Sequence, residues 1–179
     1  ARMFFEFLYW TVGRLIKWIF RLQPEGLENL PRHGVLLCPN HASNWDPVLI
    51  GVCLPHNYHL RIMAKEALFH NKALAWLIRK LGAFPVTRGT ADIQSVKTAM
   101  QVIKDGQNLL IFPEGTTIRN GLGYVDGLPP HAHSGIAVIG VRSGATLVRV
   151  FADGPKKPFH KHRIIFGKPY TPVYTGRRG

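Results

Sequence analysis

Two cysteines, Cys38 and Cys53, are all that 179 residues contain. That is too few for a disulfide framework and fits a reducing compartment. Acidic residues are scarce as well: 10 Asp and Glu stand against 23 Lys and Arg, a formal charge of +13. Such a surplus calls for a polyanionic partner, whether nucleic acid, an acidic membrane surface or a phosphorylated substrate. Charged residues make up only 18% of the chain and apolar residues 46%, which excludes a chain too polar to bury a core. The 13 prolines and 18 glycines are dispersed, excluding collagen-like and low-complexity segments. No internal repeat and no interdomain linker is visible, and the length suits one domain. The G-x-S-x-G elbow of serine-nucleophile hydrolases is also missing.

An uninterrupted apolar span is lacking too. Residues 3–22 are long enough to cross a bilayer but contain Glu6, Arg14, Lys17 and Arg21. On a continuous helix at about 100° per residue these four fall within an arc of about 80°. Phe4, Phe5, Trp10 and Trp18 lie among the apolar residues that fill most of the rest. Cations opposite aromatic rings suit a helix lying in a membrane interface, with Arg14, Lys17 and Arg21 at lipid phosphates and the rings at the acyl boundary. Basic residues inside the apolar stretch argue against a signal peptide. The alternative is a helix packed on the protein's own core. The chain thus divides into an interfacial helix, 1–22, and a main domain, 23–179.

Within the main domain, 23–31 reads as a connector and Gly34–Cys38 as a short buried strand stopped by Pro39. Residues 40–47 read as a loop, with Asp46 as N-cap and Pro47 as first residue of a helix through about Cys53. Tyr58–Met63 predicts a strand, Lys65–Leu81 a helix closed by Gly82, and Ala83–Val86 a strand. Ile93, Val96, Met100 and Ile103 predict a helix that Gly106 ends. Asn108–Phe112, Thr146–Phe151 and Arg163–Phe166 read as strands and Ser134–Val141 as a helix. Helices alternating with short apolar strands predict a single-domain α/β layered fold with a mostly parallel central sheet.

Three segments carry candidate chemistry. In Asn40-His41-Ala42-Ser43-Asn44-Trp45-Asp46-Pro47, His41 and Asp46 would lie about 140° apart on a regular helix, so they meet only if the segment is irregular. Pro39 and Pro47 favour that break. A carboxylate accepting from imidazole Nδ1 leaves Nε2 as a base; Asp46 as a plain helix cap explains the residue equally well. Phe112-Pro113-Glu114-Gly115-Thr116-Thr117 leaves a buried strand, where α/β sheets place ligands, although a tight turn at Gly115 accounts for it too. Arg88 ends another short strand and offers a fork to phosphate, or is a solvated surface residue.

In this order, NHxxxxD, an Arg about forty residues on and FPEGT about twenty-five further resemble the glycerolipid acyltransferases, over about residues 3–170. The resemblance implies transfer of a fatty acyl group from acyl-CoA or acyl carrier protein to the free hydroxyl of 1-acyl-glycerol-3-phosphate. It makes His41 the general base and Asp46 its orienting partner. Arg88, Glu114, Gly115, Thr116, Thr117 and Arg119 would form the acceptor site, with Arg88 on the phosphate. It also implies peripheral attachment to the cytoplasmic face of the cell membrane. Where the family has a basic residue after EGT, this chain has Thr117, with Arg119 two positions later.

The expected reaction is direct attack of a hydroxyl on a thioester, without a covalent acyl-enzyme, metal or cofactor. His131-x-His133 and His160-x-His162 lack accompanying Cys or carboxylates, so metal ligation is not expected. A nucleic-acid-binding module is the rival for the charge, but no zinc knuckle, RNP-type motif or basic block is present. A non-catalytic lipid carrier is a second rival, with no use for a base.

Overall fold

A computed structural model describes residues 6–7, 9–86, 93–113 and 134–173. These form a mixed α/β domain around a seven-stranded sheet. The strands are β1 (Leu22–Glu25), β2 (Val35–Pro39), β3 (Leu60–Lys65), β4 (Ala83–Val86), β5 (Asn108–Leu110), β6 (Thr146–Ala152) and β7 (His162–Phe166), in the spatial order β1-β7-β6-β2-β5-β3-β4. Every pairing is parallel except β6 with β7.

Side chains alternate across the pleat, which explains why β2 is apolar throughout. Val35 and Leu37 enter a core with Leu110, Val148, Val150 and Ile164. Leu36 enters a second core, on the opposite face, with Leu109 and Leu147. Helix α1 (Arg14–Ile19) and helix α2 (Asp46–Cys53) contact each other, and Leu49, Ile50 and Cys53 of α2 fill the first core with Phe20. Helix α3 (Lys72–Lys80) lies against β4, and helices α4 (Ile93–Lys104) and α5 (Ser134–Ser143) pack together with Ala99, Val102, Ile103 and Ile139 in the second core. Gly82 and Gly106 end their helices at φ of 89° and 74°, a conformation a Cβ would strain.

Three predicted elements differ. The N-terminal helix is not continuous over 3–22: a π-helical turn (Tyr9–Gly13) leads into α1, and Arg21, at φ 40°, lies beyond its end. A π turn changes the rotation per residue, so the arc of about 80° drawn for a regular helix does not carry from Glu6 to Arg21. Lys65–Leu81 is two elements, a 3₁₀ turn (Glu66–Phe69) and α3, because the Asn71 side chain caps a new helix by accepting from Leu74 N–H at 3.0 Å. The 23–31 connector contributes most of β1, an edge strand in which Pro24 is tolerated, and a 3₁₀ turn (Leu27–Asn29).

The N-terminal segment packs on the protein's own core, the alternative that the sequence left open, and exposes aromatic side chains as well. Phe20 is buried and Ile16 and Ile19 pack on the first core, while the Tyr9 hydroxyl donates to Leu54 O at 2.6 Å. Trp10 and Trp18 remain 52% and 68% exposed, and Lys17 Nζ sits 5.6 Å from the Tyr9 ring centre. Among the described residues no helix is long and apolar enough to cross a membrane. Phe4 and Phe5 lie outside the described residues.

Candidate active site

The site begins where β2 runs out. Asn40 continues the ladder to β6, its backbone N–H donating to Val150 O at 3.3 Å. Its side chain then pairs with one residue of β6: Oδ1 accepts from Ala152 N–H at 2.7 Å and Nδ2 donates to Ala152 O at 2.8 Å. The chain therefore leaves the sheet in a fixed direction, at the carboxyl end of a central parallel strand, where α/β folds bind ligands.

Residues 41–43 have no regular structure, and α2 starts at Asp46 with Pro47 second. The irregular stretch lets His41 and Asp46 meet, with Nδ1 3.4 Å from Oδ2. Asp46 is not the N-cap: Trp45 holds that position, and the carboxylate turns back into the loop. Its Oδ2 accepts from the Ala42 and Ser43 amides, both at 2.7 Å. Asp46 is fully buried and His41 partly so. One carboxylate oxygen thus shapes the loop and faces the imidazole, which favours the tautomer with its proton on Nδ1.

The other oxygen of Asp46, Oδ1, makes no hydrogen bond; the Lys156 ammonium lies 3.6 Å from it. Lys156 also reaches Asp153 Oδ1 at 3.1 Å and Gly154 O at 2.9 Å. His162 Nδ1 is 3.2 Å from the same Asp153 oxygen, and Arg163 N–H donates to Oδ2 at 2.9 Å. Burial works against the ionised Asp153 carboxylate. The Arg163 amide, the Lys156 ammonium and His162 outweigh that and hold its pKa below the usual range.

The His41 ring lies against Phe112, with centroids 4.1 Å apart and planes inclined at 34°. Phe112 follows β5, the neighbour of β2, so the first residue of the FPEGT motif lies at the same end of the sheet as His41. Arg88, Glu114, Gly115, Thr116, Thr117 and Arg119 lie outside the described residues, as do His131 and His133. His162 is engaged with Asp153 and with Lys157 O, 2.9 Å from its Nε2. Desolvation pushes both the Cys38 and Cys53 thiols up to about 12, the state of inert, protonated side chains. An open groove of about 390 Å³ runs beside the loop, lined by Cys38, Asn40, Arg149, Val150, Phe151 and Ile165 among others.

Sequence reasoning assigned no role to Asn40 or Lys156. Asn40 carried a signal, an amide directly after the proline that ends a strand. Lys156 carried none, being 110 positions from Asp46 in a basic tract.

Comparison with known proteins identifies the family. A family model described as Acyltransferase matches residues 21–154. The 1-acyl-sn-glycerol-3-phosphate acyltransferase of Bacillus subtilis is 33% identical over 149 residues, covering 79% of this chain and 70% of that protein. The lyso-ornithine lipid O-acyltransferase of Pseudomonas aeruginosa is 32% identical over 110 residues, covering 60% of this chain and 40% of that one. The crystal structure of the 1-acyl-sn-glycerophosphate acyltransferase of Thermotoga maritima superposes with a TM-score of 0.63 at 22% identity, over 92% of this chain and 71% of that chain, a likeness of fold. With a family model matched over well more than half its length and a relative at 33% identity across most of it, this chain belongs to the acyltransferase family.

Proposed function

We propose that this acyltransferase moves a fatty acyl group from acyl-CoA or acyl carrier protein to the free hydroxyl of 1-acyl-glycerol-3-phosphate, forming phosphatidic acid. The observation that carries the reading is the placement of His41 Nδ1 at 3.4 Å from the buried Asp46 carboxylate, in the loop at the end of β2. The acceptor hydroxyl loses its proton to His41 Nε2 as its oxygen attacks the thioester carbonyl. A C–O bond forms, the C–S bond breaks, and the imidazolium returns the proton to the departing thiol. Asp46 stabilises the imidazolium in between. A base so placed contributes about 10²–10⁴-fold. No metal or cofactor enters the scheme.

Arg88 is assigned to the acceptor phosphate and Glu114, Gly115, Thr116, Thr117 and Arg119 to the rest of that site, on the resemblance of their motifs. The groove lined by Asn40, Cys38 and Phe151 supplies apolar surface near the end of β2. Attachment to the cytoplasmic face of an anionic membrane fits the formal charge of +13 and the exposed Trp10 and Trp18. Similarity to a lyso-ornithine lipid acyltransferase, at nearly the same identity, favours a second reading in which the acceptor lacks the phosphate.

Purified protein, one labelled thioester and a panel of acceptors test both. Labelled phosphatidic acid from the lysophosphatidate lane supports the first reading, and product only from lyso-ornithine lipid supports the second. His41→Ala should abolish transfer with an unchanged melting profile; near-normal turnover would remove the base assignment.

A further inference from the structure

We infer that Lys156 is a positioning residue for acyl transfer, its buried ammonium fixing Asp46 from the side opposite His41. The inference rests on the reading of His41 as the base. The Lys156 side chain has no solvent exposure, and an ammonium removed from water is tolerated only where charge and hydrogen bonds compensate it. Its oxygen neighbours are Gly154 O at 2.9 Å, Asp153 Oδ1 at 3.1 Å and Asp46 Oδ1 at 3.6 Å. The first two lie within three residues of Lys156 and anchor it locally. The third is on a distant element and is the Asp46 oxygen left without a hydrogen bond.

Two consequences for His41 follow. With Oδ1 drawn toward Lys156, Oδ2 stays on the Ala42 and Ser43 amides and on the imidazole, which fixes where Nε2 points. The cation also lies 3.6 Å from the carboxylate that faces the imidazole, so removing it changes the charge that His41 meets through Asp46. The titratable groups facing this cluster are His41 from the loop after β2, Asp46 from α2, Asp153 after β6 and His162 from β7. Asp153 is itself held by His162 and by the Arg163 amide, which keeps Lys156 in place.

The test uses the full chain with a labelled acyl thioester and 1-acyl-glycerol-3-phosphate in phosphatidylglycerol vesicles, between about pH 5 and 9. Lys156→Met should lower kcat roughly 10- to 100-fold, with the acceptor KM within about twofold. The acid limb of kcat/KM should move to higher pH by about half a unit or more. In an Asp46→Asn background the same change should cost less than about twofold further, because its target is gone. Lys156→Gln, which keeps a donor without the charge, should show the same upward movement and serves if the Met variant does not fold. A folded Met or Gln variant with near-normal kcat and an unmoved acid limb, beside an inactive His41→Ala, overturns the role of Lys156 and leaves the base in place. A loss fully additive with Asp46→Asn also overturns it. Near-normal turnover by His41→Ala sinks the base reading, and the role of Lys156 with it.

Discussion

Asn40 and Ala152 exchange two hydrogen bonds, one in each direction, at 2.7 and 2.8 Å. A side-chain amide stands in for the next residue of a β ladder and sets the starting point of the loop that carries His41. Asn40→Ala leaves both Ala152 groups without these partners, so we expect a loss of about 1–3 kcal/mol in stability. Asn40→Asp keeps the acceptor but brings a carboxylate against the Ala152 carbonyl, and it should not restore the wild type. Urea unfolding midpoints together with kcat check this; wild-type values for Asn40→Ala would show that the loop is held elsewhere.

Stability should fall in acid through Asp153. Its pKa is depressed in the folded protein, so its contribution is full above the unfolded value of about 3.9 and is lost as pH falls through the lower folded value. Glu25 behaves alike through its hydrogen bonds from Arg163. Denaturation midpoints measured from neutral pH down to about pH 2 should drop at the acid end, and less steeply in Asp153→Asn.

Neither cysteine should act as a nucleophile. With both thiols raised to about 12 by burial, a disulfide reagent at about pH 8 should react slowly with the folded protein and release two equivalents after unfolding. Cys38→Ser should retain turnover, and a large loss there would revive a covalent acyl-enzyme.

Membrane attachment is best tested by point substitution. Removing residues 1–22 would delete Phe20 from the core and confuse unfolding with release. Trp18 and Phe159 meet edge to face at 5.9 Å while remaining 68% and 61% exposed, and Phe159 N–H donates to Ile19 O at 2.6 Å. Trp10→Ser, Trp18→Ser and Phe159→Ser should each weaken sedimentation with anionic vesicles several-fold. Unchanged binding in all three would place the contact surface elsewhere.

What could be read beforehand was whatever local chemistry decides. The apolar run before Pro39 required a strand buried on both faces, and Ile93, Val96, Met100 and Ile103 with Gly106 required a helix and its end. The break at Asn71 was present as a capping residue but hidden inside a long helical pattern. β1 was hidden more deeply: only Leu22 of its four residues is even partly buried, and its pairing with β7 joins residues about 140 positions apart. In the site, the prolines around them only allowed His41 and Asp46 to meet; the resemblance carried by NHxxxxD and FPEGT is what paired them. Lys156 could not, since a cation beside Asp46 is a product of the fold, with no trace in local spacing.

The reversed direction of β7 settles which edge of the sheet receives the 153–161 turn. A parallel successor to β6 would have sent the chain back across the layer before the next strand began. Doubling back instead keeps the turn at the rim where His41 stands. Lengthening or shortening that turn would therefore shift Lys156 relative to the buried Asp46 carboxylate.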